Sequence, residues 1–304
     1  MTERASAGSA VARTAMGPVE YDDRGSGPVV LHFHGGNVGH NGAFLLDHLA
    51  AAGRRLITPD RPGYLGTPLG DHGAPEAQAD LFAALLDELE IDRVAVVGIS
   101  AGGPGAVQFA VRHPERTDAL VLLSAMTRSI QLRDEQLDSV LGRLVLSERF
   151  QDVSALLISE GMRRLPRASL REFARTETTH DDETARQLVD QILDDPGQRA
   201  QVMALAEALV PGRPRFAGVM NDVGLQQHLQ PLPLDAVGAP ALVIHSEYDG
   251  DVPFDGAVAA HDRLPDSELL TVRQFGHFVS WGDPEVARDI EARLAAFLDR
   301  HAPR

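Results

Sequence analysis

Short apolar runs alternate with helical patterns along most of the chain. Six runs share the length and apolar composition of buried strands: 29–33, 56–58, 94–97, 120–123, 242–245 and 269–272. Four segments near them carry apolar residues at helical spacing: 76–89, 101–112, 255–263 and 284–298. Continuous apolar strands joined by crossover helices are typical of a parallel sheet that is buried on both faces. The pattern predicts an α/β fold with a mostly parallel, doubly wound sheet.

The region 127–230 interrupts this alternation. No run within it has the character of a strand, and four of its segments have amphipathic helical patterns: 134–146, 153–164, 182–193 and 200–210. We therefore interpret 127–230 as a helical cap that is inserted into an α/β core made of 18–126 and 231–304. Residues 1–17 are mostly small and polar, and we expect them to form a flexible tail.

Composition narrows the possible partners and location. A hydrophobic content of 43% in 304 residues allows a substantial core. No apolar run approaches the length of about 20 residues that a membrane helix needs, and no secretory h-region is visible. We expect a cytoplasmic protein that acts on a small molecule, either as a monomer or as a homo-oligomer. The formal net charge of −16 argues against binding to nucleic acid or to anionic membranes.

The strongest chemical motif is VAVVGISAGG at 94–103, which runs from an apolar strand into a helical pattern. A G-x-S-x-G turn in this position strains the serine backbone and lifts the hydroxyl clear of the sheet. Ser100 is therefore the candidate nucleophile. The N-terminus of the following helix offers free N–H groups and a positive dipole end, which suit a developing oxyanion. The alternative is a glycine-rich turn whose serine has no chemical role.

Further segments resemble the α/β-hydrolase superfamily, and the resemblance covers nearly the whole chain. They are HGGN at 34–37, DRPGYLG at 60–66 and HPER at 113–116. The resemblance implies the α/β-hydrolase fold and an oxyanion hole built from backbone N–H groups.

The oxyanion hole should combine the N–H of Ala101 with an N–H of the HGGN loop, which we assign to Gly36. Asn37 either adds a side-chain donor or shapes the turn. We expect His34 to brace this loop rather than to transfer protons.

The general base should follow the acid, because the chain order in this family is serine, acid, histidine. Among the 12 histidines, His277 lies in FGHF after the last strand and before the closing helix. This position brings it to the same edge of the sheet as the serine turn. His245 is the nearest competitor, but it precedes the acid segment, and we expect it to be packed.

The acid is expected just beyond the strand that ends at His245. The stretch SEYDGDVP at 246–253 resembles the G-x-x-D-x-x-V-P loop of the family and aligns the acid with Asp249. Ser246 stands where the family has glycine, so Asp251 remains the second choice. The carboxylate would fix the imidazole tautomer and stabilise the imidazolium.

These residues predict acyl transfer to water from a carboxylic ester or a lactone, with no cofactor. The histidines show no HExxH spacing and the chain has no cysteine, so we predict no metal site. A carbon–carbon bond hydrolase, a thioesterase or cyclase, and an aminopeptidase can share the same triad. Prolyl iminopeptidases have the motifs H-G-G-P-G and G-x-S-W-G. In this chain Asn37 stands at the Pro position and Ala101 at the Trp position.

A protein of another class, a non-catalytic receptor for a small ligand, can also use this fold. The cap is expected to cover the site and to supply a mostly apolar pocket. We therefore predict an uncharged, moderately hydrophobic substrate.

Overall fold

The computed structural model of the protein describes residues 8–130 and 148–302. Within these ranges, eight strands form one sheet: β1 (Ser9–Thr14), β2 (Gly17–Gly25), β3 (Val29–Phe33), β4 (Arg55–Pro59), β5 (Val94–Ile99), β6 (Thr117–Leu123), β7 (Ala241–Ser246) and β8 (Ser267–Val272). The strand order is β1-β2-β4-β3-β5-β6-β7-β8. β2 pairs antiparallel with β1 and β4, and the other neighbouring strands are parallel. The predicted fold class is confirmed.

Five α-helices accompany the sheet in the described ranges: α1 (Asp47–Ala51), α2 (Pro75–Glu88), α3 (Gly103–Arg112), α9 (Phe254–Arg263) and α10 (Pro284–His301). Leu31 and Phe33 of β3 pack in one cluster with α2, α3 and α9. Val30, which points to the opposite face, packs with α1 and α10. Since both faces are covered, β5 is buried at every position. This explains why the central strands are uninterrupted apolar runs.

The N-terminal segment corrects one prediction. The sequence pattern predicts a flexible tail over 1–17, but Ser9–Thr14 forms the edge strand β1, which pairs with β2. Three of its six residues are polar and its one large apolar residue, Val11, is 59% exposed, so hydrophobic patterning did not reveal it. Backbone pairing and a hydrogen bond from the Ser9 hydroxyl to Glu20 (2.6 Å) hold it in place. Residues 1–7 lie outside the described residues.

The described part of the proposed cap is helical. It contains α4 (Gln151–Arg164), α5 (Pro166–Glu177), α6 (Asp182–Asp194), α7 (Pro196–Ala208) and α8 (Phe216–His228). Helices α4, α6 and α7 lie where the sequence pattern predicts helices, whereas the helix predicted at 134–146 falls largely in 131–147, outside the described residues. We keep 127–230 as the proposed extent of the cap.

Local sequence explains where the cap helices begin. The carboxylates of Asp181 and Asp195 accept N–H groups from the first turns of α6 and α7, at 2.7 and 2.8 Å. Pro166 and Pro196 occupy first helical positions, where a missing N–H costs little. Helices α5 and α8 escaped prediction because α5 has few apolar residues and α8 contains two glycines.

A further apolar cluster joins the proposed cap to the core. Val38, Phe275 and Trp281 of the core pack with buried residues of α4 to α7. The cap is thereby seated on the loops that follow β3 and β8. None of the helices in the described ranges has the length and hydropathy of a bilayer-spanning helix.

Candidate active site

Ser100 occupies a strained turn between β5 and α3. Its φ angle is +50°, in the left-handed region that residues other than glycine rarely adopt. The flanking glycines are required by close packing. A Cβ atom at Gly98 would lie 2.6 Å from the Cβ of Ala106, and one at Gly102 would lie 2.7 Å from the His34 carbonyl oxygen. The predicted strand–turn–helix geometry is thus present around the candidate nucleophile.

His277 and Asp249 are brought together by the loops after β8 and β7. The Nδ1–H of His277 donates to Oδ2 of Asp249 at 2.9 Å. The other oxygen, Oδ1, accepts backbone N–H groups from Asp251 (2.9 Å) and Val252 (2.8 Å). His245, which is fully buried, also lies beside this carboxylate: its Nε2 is 3.1 Å from Oδ2 and 2.9 Å from the carbonyl oxygen of Val252. The Asp249 carboxylate is therefore held from several sides.

These contacts set the protonation of the pair. Burial raises the pKa of Asp249, but the two neighbouring histidines outweigh it and bring that pKa below its ordinary value. Burial acts to lower the pKa of His277, yet Asp249, together with Asp251 and Glu177, raises it above its ordinary value. The arrangement stabilises an imidazolium next to an ionised carboxylate, as a general base requires after it takes a proton.

The second-choice acid, Asp251, has a different place in the site. Its Oδ2 lies 3.8 Å from Nε2 of His277, the ring nitrogen that does not bond Asp249. It thus lies beside the ring nitrogen that is left for proton transfer, whereas Asp249 bonds the other one. The geometry favours Asp249 in the orienting role.

Glu177, at the end of α5, is a residue that the sequence did not single out. Its backbone carbonyl accepts N–H groups from His277 (2.9 Å) and Gly250 (3.1 Å). Next to it, the N–H of Thr179 donates to the carbonyl of Tyr248 at 2.9 Å. This cap segment therefore joins the acid loop to the histidine loop. The carboxylate of Glu177 has a raised pKa, because it is partly buried at the cavity wall and lies close to Asp251.

The HGGN loop lies against the serine turn. A Cβ at Gly35 would lie 3.4 Å from the Cβ of Ser100, and one at Gly36 would lie 4.0 Å from the Cβ of Ala101. The two residues assigned to the oxyanion hole are therefore neighbours. Asn37 is exposed and adopts a φ angle of +61°. This conformation, which asparagine tolerates well, agrees with a turn-shaping role.

Both ring nitrogens of His34 are bonded within this loop region. Nδ1 donates to the carbonyl of Gly35 at 2.7 Å, and Nε2 accepts the backbone N–H of Arg61 at 2.9 Å. Burial, helped by the Arg61 charge, holds the pKa of His34 well below its ordinary value, so the ring is neutral. These bonds agree with a bracing role for His34.

A cavity of about 320 Å³ lies between the core and the cap. Ser100, His277, Gly36 and Ala101 line one part of it. Most of the remaining wall is apolar and includes Phe44, Leu123, Phe173, Leu205, Val219 and Val223. Three carboxylates, those of Glu177, Asp222 and Asp251, also line it. The cavity can hold a small, largely apolar molecule next to the serine.

Two groups in the described residues have the donor atoms of a metal site. Glu177, Asp251 and His277 form one, and Glu20, His40 and Asp60 form the other. In the second group, whose three side chains are buried, the backbone N–H of His40 donates to Asp60 at 2.6 Å. Internal bonds thus already occupy part of this group.

The comparisons with known proteins agree with this geometry. The family described as alpha/beta hydrolase fold matches residues 28–284. The solved structure of an alpha/beta hydrolase fold protein from Nakamurella multipartita has 32% sequence identity and a TM-score of 0.81, and covers 95% of this chain and 98% of that chain.

Curated relatives match over a similar extent. An uncharacterized hydrolase, YcgS, of Bacillus subtilis (strain 168) is 29% identical over 285 residues, which are 93% of this chain and 95% of the relative. The 2-hydroxy-6-oxononadienedioate/2-hydroxy-6-oxononatrienedioate hydrolase of Cupriavidus pinatubonensis is 26% identical over 287 residues, which are 92% of this chain and 90% of the relative. The similarity thus extends through both core and cap.

Proposed function

The chain belongs to the α/β-hydrolase family, and from this membership we propose that it is a serine hydrolase of carboxylic esters or lactones. The observation that carries the proposal is the 2.9 Å bond between His277 Nδ1 and Asp249 Oδ2. This bond leaves Nε2 as the ring nitrogen for proton transfer, in the same cavity that Ser100 lines.

The proposed reaction has two halves. Ser100 Oγ forms a bond to the substrate carbonyl carbon while His277 Nε2 takes the hydroxyl proton. Collapse of the tetrahedral intermediate breaks the bond to the alcohol oxygen, and His277 returns the proton to that leaving group. Water then attacks the acyl carbon of the acyl-enzyme while His277 takes a proton from the water. The bond to Ser100 Oγ breaks, and His277 returns the proton to that oxygen.

The N–H groups of Gly36 and Ala101 stabilise the oxyanion in both halves. A backbone donor that meets the oxyanion at hydrogen-bond distance contributes about 3 kcal/mol to transition-state stability. No group outside the chain takes part in this scheme apart from water and the substrate.

The charge of the cavity supports an uncharged substrate. Glu177, Asp222 and Asp251 line it, and the chain contains no lysine. The nearby guanidinium of Arg61 is already paired with Asp222 at 2.6 Å. Among the described residues that line the cavity, an anionic acyl group would therefore meet carboxylates and no arginine. A cavity of about 320 Å³ favours small or medium acyl groups.

Carbon–carbon bond hydrolysis is the second candidate, and the similarity to the dienedioate hydrolase of Cupriavidus pinatubonensis favours it. The same triad can act on a ketone instead of an ester. However, a dienedioate carries two carboxylates, which the acidic lining of this cavity disfavours. An ester therefore remains the first proposal.

Hydrolysis of p-nitrophenyl esters with acyl chains of increasing length tests the proposal. We expect turnover of uncharged esters by the wild type and loss of turnover in Ser100→Ala. Ser280→Ala is the matched control, because Ser280 also lines the cavity and has no role in the scheme. Equal activity of wild type and Ser100→Ala would refute the proposal. Tight, reversible ligand binding without turnover would instead favour a receptor.

A further inference from the structure

Arg61 links the cap to the loop that carries Gly36. Its side chain is only 1% exposed, and both terminal nitrogens bond Asp222 of α8, at 2.7 and 2.6 Å. Its Nε donates to the carbonyl of His34 at 2.7 Å, and Nη2 lies 3.4 Å from the carbonyl oxygen of Gly35. A single guanidinium thus joins a cap helix to two successive carbonyls of the oxyanion loop.

The Gly35 carbonyl matters because it shares a peptide unit with the Gly36 N–H. In a planar trans peptide these two groups point in opposite directions. The donors that hold the Gly35 oxygen, His34 Nδ1 at 2.7 Å and Arg61 Nη2, therefore also set the direction of the Gly36 N–H. An N–H that is turned away from the oxyanion loses most of its hydrogen bond.

Asp222 is held from a third side. The hydroxyl of Tyr64 donates to its Oδ2 at 2.5 Å, and the Tyr64 ring is fully buried. On α8, Asp222 is flanked by Val219 and Val223, which line the acyl cavity one turn before and directly after it. An acyl chain in the cavity would therefore contact α8 next to Asp222, the residue that holds Arg61 against the HGGN loop.

We infer that Arg61 and Asp222 are positioning residues that aim the Gly36 N–H at the oxyanion. This inference rests on the proposed serine hydrolase function. It also makes the oxyanion hole dependent on the seating of α8, since the carboxylate that orients Arg61 belongs to the cap.

Because Asp222 is charged, its substitution can distinguish a positioning role from a purely electrostatic one. A Cβ at Gly36 would lie 3.7 Å from Oδ2 of Asp222, so the carboxylate is close to the place where the oxyanion forms. If only charge mattered, Asp222→Asn would remove a repulsion and strengthen oxyanion binding. If positioning matters, the same change weakens it, because the bidentate anchor of Arg61 is lost.

The test compares a transition-state analogue with a ground-state analogue. An alkyl trifluoromethyl ketone forms a hemiketal oxyanion with the serine, whereas the corresponding alkyl alcohol only occupies the acyl cavity. Inhibition constants for both, with kcat and KM for a p-nitrophenyl ester, are measured for wild type, Asp222→Asn, Arg61→Lys and Tyr64→Phe. Val223→Ala is the matched control, since it changes the adjacent cavity wall without touching Arg61.

For Asp222→Asn and Arg61→Lys we expect kcat to fall about 10- to 100-fold. The inhibition constant of the trifluoromethyl ketone should rise by the same factor. KM and alcohol binding should change by less than about threefold. Tyr64→Phe keeps the charges of Arg61 and Asp222, and it should lower kcat and weaken trifluoromethyl ketone binding by a smaller factor. If the other two variants do not fold, Tyr64→Phe alone tests the inference. Val223→Ala should weaken both inhibitors equally.

An unchanged or tighter binding of the trifluoromethyl ketone in the folded variants would overturn the inference. Equal weakening of both inhibitors would do so as well, because it would indicate a general change of the cavity. A wild type that neither hydrolyses esters nor forms the hemiketal would instead refute the proposed function.

Discussion

The backbone N–H of His277 donates to the carbonyl of Glu177 at 2.9 Å, which ties the candidate base directly to the end of a cap helix. The same carbonyl accepts the N–H of Gly250, next to Asp249. The candidate base and the candidate acid therefore lie on core loops that one residue of the proposed cap holds together. The proposed cap would then support the candidate triad as well as form part of the cavity wall.

The two candidate acids should differ sharply in effect. Asp249→Asn removes the acceptor that fixes the His277 tautomer, and we expect kcat to fall by about 10⁴-fold. Asp251→Asn leaves that bond intact and should change kcat at the pH optimum by less than about tenfold. Steady-state ester hydrolysis measures both. The assignment of Asp249 is wrong if the larger loss belongs to Asp251→Asn.

The acidic surroundings of His277 should appear in the pH profile. The base must be neutral, so kcat/KM rises as the pH passes through the pKa of His277, which neighbouring carboxylates raise above 6.5. Glu177→Gln removes one of these charges, lowers that pKa and should move the rising limb to lower pH. Glu172→Gln, on the same helix but exposed to solvent, is the control and should leave the limb in place. A shift to higher pH in Glu177→Gln would contradict this view of the site.

Substrate charge should affect turnover strongly. We expect kcat/KM for p-nitrophenyl butyrate to exceed that for mono-p-nitrophenyl glutarate by about tenfold or more, because the cavity is lined by carboxylates. Added salt should narrow the difference by screening the repulsion. Faster hydrolysis of the anionic ester would show that a cation binds it and would favour the dioate class of substrate.

Trp281 should be important for stability. Its ring is fully buried, stacks on Phe278 at 4.3 Å between centroids, and donates from Nε1 to Gln201 of α7 at 2.8 Å. Trp281→Ala should lower the free energy of unfolding by about 3–5 kcal/mol. Phe150→Ala, at a 43% exposed position of the cap, should lower it by less than about 1 kcal/mol. Urea denaturation followed by far-UV circular dichroism measures both, and equal losses would contradict the packing described.

The central strands and the serine turn could be predicted because their physical requirements are local. β5 is buried on both faces and reads as an apolar run, and the turn at Ser100 needs small neighbours at Gly98 and Gly102. β1 could not be predicted, because an edge strand is held by backbone pairing and has little apolar area to bury.

The cap residues of the site could not be predicted for a different reason. Asp222 lies 161 positions from Arg61 along the chain, and only the packing of α8 on the core brings them together. Glu177 ends a helix with few apolar residues, so neither its helix nor its place beside His277 is visible in the sequence. An arginine, a glutamate or an aspartate in isolation reads as an ordinary surface residue.

Covalent labelling of the serine hydroxyl tests the convergence of Ser100, His277 and Asp249 most directly. An alkyl fluorophosphonate reacts with a serine whose oxygen is activated by a base. We predict that mass spectrometry of the labelled wild type finds one adduct, on the peptide that contains Ser100, and that His277→Gln slows its formation by orders of magnitude. Absence of an adduct from the folded wild type, or an adduct on another residue, would contradict the account.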